Sequence, residues 1–377
     1  MAKADVAAGQ PWVLQLCHGY DGPFLDCARQ YAVLFKDTPY KVCTVYLTGT
    51  PSEEVEQGSA SDEVIFLGYD SASIGGLKLG ALCDMRRIAK SRSFRLCIAH
   101  RFKPAYIALL ATKLPVIGVN HAFGVYKRRS RRLFASFFRQ RLMLLGVSNA
   151  VRDDIRDCLP GWPSERIETL YNRIDVEAVQ ADQVSRQIAR ETLGLPQGAW
   201  VVGNVGRLHA DKDQATLIRG FAEALPGLPD GSLLVIMGQG RLEARLKALA
   251  DELGISGQVR FLGQVPHGRR YFKAFDLFAL SSDHEPFGMV LLEAMAAAVP
   301  VICSDCGGGP EVAGPENLFR QGDPQALSER LLAGRDREAV IDRQRARLRD
   351  SFSDAVAKRR FWKLPMVSAL KAQVGDL

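Results

Sequence analysis

Short apolar runs alternate with amphipathic stretches along most of the chain, and this pattern is typical of parallel βαβ units. The apolar runs are PWVLQLC, KVCTVYLTG, EVIFLGY, RLCIAHR, PVIGVNH and RLMLLGVS, followed later by WVVGNVG, SLLVIMG, QVRFLG and DLFALSS. Between them, apolar residues recur at helical spacing, as in Phe24 to Phe35 and Asn149 to Cys158, with Ser148 as a candidate N-cap of the second helix. The pattern predicts an α/β fold with doubly wound sheets.

The alternation is interrupted once, across the polar stretch Asn172 to Arg186, and then starts again. At 377 residues, the chain exceeds the length at which one hydrophobic core usually stops growing. We therefore predict two domains, residues 1–172 and 173–352, with the polar stretch as the linker and lead-in to the second. Residues 353–377 are predicted to form a final helical segment.

Composition narrows the class of protein. Hydrophobic residues make up 47% and charged residues 24%, which is ordinary for a globular protein. No apolar run reaches the roughly 18 residues that span a bilayer, and the N-terminus lacks the apolar core of a signal peptide. Cys303 and Cys306 form a C-x-x-C without the second pair or the His-x-His that would complete a metal site. We expect a cytoplasmic protein with reduced cysteines and no bound metal.

The net charge of +7 is localised in one segment, which we call the basic patch: Lys127 to Arg141, with seven basic residues and no acid. Apolar residues fall at helical spacing in and just after it, namely Leu133, Phe134, Phe137, Phe138 and Leu142. A helix of this composition suits an anionic membrane surface, here the cytoplasmic face of the inner membrane, and its charge also suits the phosphates of a glycan or glycolipid. The alternative is that the aromatic residues pack inside the domain. No nucleic acid is expected, because no DNA- or RNA-binding motif accompanies the charge.

The stretch from Ser281 to Glu311 carries the clearest candidate chemistry. Pro286 suits the first position of a helix, so Glu285 is expected just outside the helix and Glu293 about two turns inside it. Two carboxylates spaced in this way can hold two parts of an elongated ligand. The N–H groups at such a helix end suit a phosphate, and here they belong to Phe287, Gly288, Met289 and Val290.

The segment EPFGMVLLEAMAAAVPVI, with seven residues between Glu285 and Glu293, resembles the E-x7-E signature of the retaining glycosyltransferases of family 4. This resemblance implies the GT-B fold, in which two Rossmann-like doubly wound domains face a central cleft and the final helix crosses back to the first domain. It also implies a nucleotide-diphosphate sugar as donor substrate and no cofactor. Glu293 would then hold ribose hydroxyls, and Glu285 sugar hydroxyls or the developing positive charge.

Further motifs of the second domain fit the same family. GNVGRLHADKD resembles its G-R-L-x-x-x-K-G segment, with Arg207 and Lys212 beside Gly206, although Asp213 stands where the last glycine is usual. Two such cations suit a diphosphate, so Arg207→Ala is expected to be nearly inactive. Gly238 and Gly240 resemble the G-x-G turn near the base, and the turn from Gly307 to Glu311 resembles the G-G-x-P-E element. Each motif is unspecific when taken alone.

The first domain offers weaker candidates. Gly19 follows the first strand, where the family has a glycine loop that faces donor phosphate and acceptor, so it is a candidate donor-binding residue. Its neighbours His18 and Tyr20 are candidates for lining the acceptor side. His100 and His121 stand at strand ends, where ligands of open α/β sheets bind. His121 resembles the donor-contacting histidine of the family. His100 resembles the strand-end histidine that precedes it and is a further candidate for the acceptor side. Either could instead be a hydrogen-bonded structural residue.

These patterns predict a metal-independent, retaining glycosyltransferase of the lipopolysaccharide-core or other surface-glycan type. Its catalytic residues are predicted to be His121, Arg207, Lys212 and Glu285, and its acceptor a glycan or glycolipid. The alternatives are a sugar-nucleotide epimerase or hydrolase of the same fold and a catalytically lapsed membrane-associated scaffold. The donor base, the sugar and the choice between double displacement and front-face attack stay open.

Overall fold

The structure, a computed structural model, describes residues 10–70, 72–76, 78–333 and 337–371. The chain forms two compact units. The first ends at Asn172 and includes the chain again from Asp354, and the second is Arg173–Ser353. Each unit contains one parallel sheet whose strands alternate with helices along the chain, so the predicted α/β class is confirmed.

The first unit is built on seven strands. They are β1 (Trp12–Cys17), β2 (Lys41–Tyr46), β3 (Glu63–Phe66), β4 (Phe94–His100), β5 (Val116–Asn120), β6 (Leu142–Gly146) and β7 (Ile167–Thr169). The helices up to Asn172 are α1 (Phe24–Ala32), α2 (Glu53–Gly58), α3 (Leu79–Ser91), α4 (Phe102–Ala111), α5 (Arg129–Phe137) and α6 (Asn149–Cys158). The strand order is β3-β2-β1-β4-β5-β6-β7. Because the order reverses between β1 and β4, the loops that follow these two strands diverge and leave room for a ligand.

The strands of this sheet are mostly apolar because they are covered on both faces. Leu14 of β1 pairs with Cys43 of β2 on one side and with Cys97 of β4 on the other, and all three side chains are buried. Ser148 caps α6 as the sequence predicted, since its Oγ accepts a hydrogen bond from the N–H of Val151 at 3.0 Å.

The second unit repeats this architecture with six strands. They are β8 (Val201–Val205), β9 (Leu233–Met237), β10 (Val259–Gly263), β11 (Leu277–Leu280), β12 (Val301–Ser304) and β13 (Leu318–Phe319). Its helices are α7 (Val176–Asp182), α8 (Arg186–Thr192), α9 (Gln214–Ala224), α10 (Glu243–Glu252), α11 (Met289–Ala296), α12 (Gly309–Ala313), α13 (Pro324–Ala333) and α14 (Arg337–Ser351). The order β10-β9-β8-β11-β12-β13 reverses between β8 and β11. The loops after β8 and β11 are therefore the expected place for a ligand.

The stretch predicted as a linker is instead a folded part of the second unit. Asp175 caps α7 by accepting a hydrogen bond from the N–H of Ala178 at 3.0 Å. Asp182, at the end of α7, forms an ion pair with Arg270 at 3.0 Å. The prediction was wrong because this short helix buries a single side chain, Val179, and so lacks the apolar periodicity from which a helix is recognised.

The C-terminal helices α15 (Asp354–Phe361) and α16 (Pro365–Lys371) belong to the first unit. The indole Nε1 of Trp362 donates a hydrogen bond to the carbonyl oxygen of Leu34 at 3.0 Å. The ring of Phe361 lies edge-on to that of Phe35, with 5.4 Å between centroids. These contacts bind the end of the chain to its first 40 residues. Among the described residues, no helix combines the length and the hydrophobicity that crossing a membrane requires.

The apolar residues of the basic patch divide between the surface and the interior. Leu133 and Phe137 on α5 are 73% and 81% exposed. Phe134 packs against Tyr106, with 4.8 Å between ring centroids. Leu142 does not continue the helix, because it begins the buried strand β6, as the apolar run RLMLLGVS predicted. The guanidinium of Arg141 donates hydrogen bonds to three carbonyl oxygens around the end of α4, so this arginine serves the fold.

Candidate functional site

The two loops at the reversal of the second sheet lie side by side. The N–H of Asp283, after β11, donates to the carbonyl oxygen of Asp211, after β8, at 3.1 Å. The hydroxyl of Ser281 donates to the carbonyl oxygen of Lys212 at 3.0 Å. These bonds hold the backbone that carries Lys212 beside the loop that carries Glu285.

Lys212 and Glu285 form an ion pair across these loops. The distance from Nζ to Oε2 is 2.7 Å, and the side chains are 20% and 9% exposed. The same Oε2 accepts a hydrogen bond from the hydroxyl of Ser282 at 3.2 Å, and Oε1 accepts one from the N–H of Phe287 at 3.4 Å. The carboxylate thus has three donors and a fixed orientation, and Lys212 balances its charge.

The helix that follows begins later than predicted. Gly288 is the N-cap of α11 and Met289 its first residue, so Pro286 is not helical. The reason is the left-handed conformation of Gly288, with φ of 96°, which turns the chain before the helix starts. Glu293 consequently lies at the fifth position of α11, and Met289 and Val290 provide N–H groups of its first turn. The N–H of Phe287 is directed at the Glu285 carboxylate.

The glycines of the G-x-G and G-G-x-P-E turns are needed for the fold itself, because neighbouring loops lie too close for a side chain. A Cβ on Gly238, whose φ is 138°, would lie 2.0 Å from the carbonyl oxygen of Gly206. A Cβ on Gly240 would lie 2.4 Å from that of Leu208, and one on Gly308 would lie 2.4 Å from that of Pro286. The absence of side chains therefore lets the turns after β8, β9, β11 and β12 pack backbone against backbone.

Arg207 lies on the outer side of this group of loops. Its side chain is 73% exposed and forms an ion pair with Asp211, 3.4 Å from Nη2 to Oδ2. Asp211 also bonds to Nδ1 of His209, whose Nε2 lies 3.0 Å from Nη2 of Arg241. Since an arginine can only donate, Nε2 of His209 accepts and Nδ1 carries the hydrogen. Neither His209 nor Arg241 was a candidate from the sequence, although the spacing Arg-x-His-x-Asp is visible there.

In the first unit, His100 and His121 stack at the carboxyl ends of β4 and β5. Their ring centroids are 5.5 Å apart with 19° between the planes, and Nδ1 of His100 lies 3.2 Å from Nε2 of His121. His100 is buried and His121 is partly buried. The structure thus brings together two residues that the sequence placed only on separate strands.

Gln15 on β1 sets the tautomer of both rings. Its Nε2 donates to the carbonyl oxygen of Ala28 at 3.1 Å and to Oγ1 of Thr44 at 2.9 Å, so its Oε1 is the atom that faces Nε2 of His100, at 3.5 Å. His100 therefore carries its hydrogen on Nε2 and accepts at Nδ1 from Nε2–H of His121. The remaining Nδ1 lone pair of His121 faces Sγ of Cys27 at 3.9 Å. Sequence patterns assigned no such role to Gln15.

Both histidines are held in the neutral form. Burial, with the charges of His121 and Arg101, lowers the pKa of His100 well below its usual value. Burial and the charge of Arg101 lower the pKa of His121 to about 3. A neutral His121 suits a hydrogen-bonding role rather than proton donation at neutral pH.

We expect the chain to lose stability as the pH falls below about 6.5, the usual pKa of histidine. Below that pH the unfolded state protonates both imidazoles, whereas the folded state keeps them neutral. The unfolded state therefore binds more protons, and each histidine costs about 1.4 kcal/mol per pH unit until its folded pKa is reached. Urea unfolding measured at about pH 7 and about pH 5.5 gives the decrease in the free energy of unfolding between the two. This decrease should be about 1 kcal/mol smaller in His121→Gln than in wild type.

Gln180, exposed on α7 and without a titratable group, supplies the control for this measurement. Gln180→Ala should respond to pH as the wild type does, and an unchanged response in His121→Gln would contradict the account.

The other candidates of the first unit have different surroundings. His18 and His121 both line a cavity of about 320 Å³ at this edge of the sheet. Tyr20 is not part of its lining: its hydroxyl donates to the carbonyl oxygen of Thr50 at 2.9 Å, and its ring packs on Tyr46. A Cβ on Gly19 would lie 2.6 Å from Oγ1 of Thr48. Tyr20 and Gly19 are therefore held in contacts within the fold.

No group of three or more potential metal ligands occurs among residues 10–70, 72–76, 78–333 and 337–371. A second-unit cavity of about 710 Å³ lies beside the loops, lined by Asp283, Asp305 and Arg320 among others. None of the predicted donor-binding residues lines it. The candidate site is taken as the loops that carry Lys212 and Glu285.

Two family models match consecutive parts of the chain. Residues 39–178 match the Glycosyltransferase Family 4 model, and residues 185–347 match the model of the glycosyl transferases group 1. The second match contains Arg207, Lys212, Glu285 and Glu293.

Curated relatives match over shorter lengths. The lipopolysaccharide core biosynthesis glycosyltransferase LpsE of Rhizobium meliloti is 31% identical over 228 residues, which is 60% of this chain and 61% of LpsE. A D-inositol 3-phosphate glycosyltransferase of Rhodococcus erythropolis is 39% identical over 200 residues, or 48% of this chain and 45% of that protein. The chain thus spans only about half to three-fifths of the length of these two relatives.

Solved structures resemble the whole chain. A glycosyltransferase from Rickettsia africae superposes with a TM-score of 0.81 at 15% identity, covering 96% of this chain and 99% of its own. HepE from Anabaena, solved in complex with UDP, gives 0.74 at 18% identity, with 97% and 100% covered. At these identities the likeness establishes the fold, which is that of the GT-B glycosyltransferases.

Proposed function

The chain belongs to the family 4 glycosyltransferases, and from this premise we propose that it transfers a sugar from a nucleotide diphosphate to a hydroxyl of a glycan or glycolipid. The supporting observation is the Lys212–Glu285 pair, which places a cation and a carboxylate at the strand-order reversal of the second sheet. A sugar diphosphate needs both: a positive group for the phosphates and a carboxylate for the sugar.

The departing nucleoside diphosphate develops negative charge, and fixed positive groups lower the barrier by stabilising it. Lys212, Arg207 and the first-turn N–H groups of α11 at Met289 and Val290 are the groups proposed for this task. Glu293 in α11 is proposed to hold the ribose hydroxyls. The chemistry then needs no metal ion, because side chains and backbone amides carry the positive charge.

We propose that Glu285 acts by hydrogen bonding and electrostatics rather than as a covalent nucleophile. Its oxygens already accept from Lys212, Ser282 and the N–H of Phe287, and a carboxylate stabilised by three donors is a weaker nucleophile. This favours front-face transfer with retention of configuration. Mass spectrometry of enzyme quenched during turnover tests the point, and a glycosyl adduct on Glu285 would contradict it.

Nucleotide binding and turnover test the function directly. The full chain is screened for thermal stabilisation by UDP, GDP and ADP, since a ligand that binds only the folded state raises the melting temperature. The matching sugar nucleotides are then incubated with and without a glycan acceptor. Release of nucleoside diphosphate that depends on the acceptor supports transfer. Consumption without acceptor indicates a hydrolase or epimerase, and binding without turnover indicates a scaffold.

The acceptor is proposed to be a lipopolysaccharide core or other cell-surface glycan. Similarity to LpsE of Rhizobium meliloti, a lipopolysaccharide core biosynthesis glycosyltransferase by name, supports this. The basic patch supports a glycolipid or a peripheral position on the cytoplasmic face of the inner membrane. On α5, Leu133 and Phe137 are exposed one helical turn apart, with Arg128 and Arg129 exposed beside them. Apolar insertion and attraction to anionic lipids then act together.

We expect the wild-type chain to float with vesicles that contain phosphatidylglycerol and not with pure phosphatidylcholine vesicles. Leu133→Ser combined with Phe137→Ser should weaken partitioning at least about tenfold, because two buried apolar side chains are lost. Arg128→Gln with Arg129→Gln should weaken it by a similar factor, at about 1 kcal/mol for each charge near the surface. Ile188→Ser is the control, since Ile188 is an exposed apolar residue of the second unit. Equal flotation of all variants would rule out this membrane contact.

A further inference from the structure

The cavity of about 320 Å³ in the first unit, which we call the first-unit cavity, has a distinctive wall. It lies where the loops after β1, β4 and β5 meet, and its wall includes His18, Phe24, Arg101, Lys103, His121 and Arg131. Its volume is at the small end of the range for ligand pockets. The three basic side chains come from the start of α4 and from α5.

Among the described residues, none of these three cations forms an ion pair, although the Asp21 carboxylate acts on Arg101 from a longer distance. No carboxylate lines the cavity. Burial first, and then the charges of Lys103 and Arg101, lower the pKa of His18. Asp21 acts in the opposite direction and is the smallest of these influences. The cavity therefore has the positive potential that attracts an anion.

Aromatic faces hold two of the cations in place. The guanidinium of Arg101 lies 3.6 Å from the centroid of the Phe24 ring, and that of Arg131 lies 4.8 Å from the centroid of the Phe102 ring. Arg131 is further fixed by a hydrogen bond from Nη1 to the carbonyl oxygen of Val125 at 3.1 Å. Side chains restrained in this way lose little entropy when an anion binds.

The backbone at the cavity supplies a further sign of a binding site. Arg101 has φ of 77°, a left-handed value that costs a residue with a side chain about 1 kcal/mol or more, and such strain is concentrated at functional sites. It is the N-cap of the ten-residue helix α4, whose first N–H groups have no partner within the helix. Nδ1 of His18 is buried and, within the part of the chain that the structure describes, has no hydrogen-bond partner.

We propose that the first-unit cavity binds a phosphate monoester attached to a hydroxylated ring, and that this phosphate belongs to the acceptor. The assignment to the acceptor rests on the proposed function. A phosphate monoester carries a charge of about −1.5 to −2 near neutral pH, which matches three cations better than one carboxylate does. Guanidinium groups bind its oxygens in bidentate fashion. Phe24 and Phe102 offer apolar walls to the ring, and His18 a polar contact.

Calorimetric titration of the full chain with glucose 6-phosphate, in phosphate-free buffer, tests the cavity. Lys103→Gln is the main variant. It should leave the fold intact, because this side chain makes no hydrogen bond or ion pair among the described residues. It should bind about tenfold more weakly or worse, the loss expected for one hydrogen bond to a charged group. Arg131→Gln should behave in the same way, and its fold is checked by circular dichroism because it also loses the bond to Val125.

Lys113→Gln is the matched control, an exposed lysine just beyond the other end of α4, and it should bind as the wild type does. Failure of the wild type to bind glucose 6-phosphate, or equal binding by wild type and Lys103→Gln, would overturn the proposal. UDP, GDP and ADP binding is measured on the same samples and should be unaffected by Lys103→Gln. Sugar-phosphate binding without any nucleotide binding would support the cavity as a phosphate site. It would contradict the proposed function and, with it, the assignment of that phosphate to the acceptor.

A second arm distinguishes a soluble phosphate from a lipid headgroup. Wild type and Lys103→Gln are floated with vesicles containing phosphatidic acid, with and without glucose 6-phosphate. If Lys103→Gln and competition both reduce flotation, the phosphate that enters the cavity is that of a lipid. If neither does while calorimetry shows the loss, the ligand is a soluble phosphosugar. Either result supports the cavity as a phosphate site.

Discussion

We expect Lys212→Met to lower kcat for sugar transfer by about 10²- to 10³-fold, the usual effect of removing one preorganised charge from a transition state. Lys212 is the better buried of the two predicted phosphate-binding cations, at 20% exposed against 73% for Arg207, so water screens it less. The variant should also lose about 1–3 kcal/mol of stability, because Glu285, 9% exposed, would keep its charge without its partner.

The double variant Lys212→Met with Glu285→Gln separates these two effects. It restores a neutral pair, so its unfolding free energy should return to within about 1 kcal/mol of wild type, while turnover stays low. Recovered turnover would show that the single variant was merely misfolded. Wild-type turnover in a folded Lys212→Met would remove this lysine from the mechanism. Arg207→Ala serves as the comparison. Motif spacing alone predicted a nearly inactive variant, but because Arg207 is 73% exposed we now expect a smaller loss, about tenfold.

Gly238→Ala should destabilise the second unit by about 3 kcal/mol or more. The new Cβ would lie 2.0 Å from the carbonyl oxygen of Gly206, and φ of 138° is a conformation that residues with a side chain rarely adopt. A backbone atom cannot move aside as a side chain can, so the turns after β8 and β9 would have to separate. Donor binding should be lost together with stability, since Gly206 precedes Arg207.

Urea unfolding and limited proteolysis of the full chain measure this effect. Gly257→Ala is the matched control, because its added Cβ would meet no atom within 4 Å and its φ is not positive. It should differ from wild type by less than about 0.5 kcal/mol. If Gly238→Ala unfolds at the same urea concentration as this control, the close approach of the two turns is not a constraint on the fold.

Much of the fold was readable from local patterns. The strands buried on both faces appear as continuous apolar runs, and Ser148, as an N-cap residue, indicated where α6 begins. Predictions were wrong where the local pattern was weak or fitted two kinds of element. Helix α7 buries one side chain and was taken for a linker, and Leu142 fits helical spacing as well as the apolar run in which it begins β6. Pro286 suits a helix start, but the left-handed conformation of Gly288 delays α11.

The candidate site divides in the same way. Gly206, Lys212, Glu285 and Glu293 could be named as candidates because motif spacing and loop chemistry lie within short segments. That Lys212 meets Glu285 was not readable, because 73 residues separate them and strand order brings them together. Gln15 likewise meets His100 over 85 residues, and the cations of the first-unit cavity belong to two helices.

Local chemistry along the chain was thus enough to predict the fold class and to propose candidate groups for binding a sugar nucleotide. It was not enough to say which groups touch, which carry a balancing charge and which tautomer a histidine adopts. The physical reason is that periodicity and capping depend on neighbours within a few residues, whereas ion pairing and imidazole tautomers depend on atoms within about 4 Å in space. In a parallel sheet those atoms come from strands separated by a whole crossover helix or more.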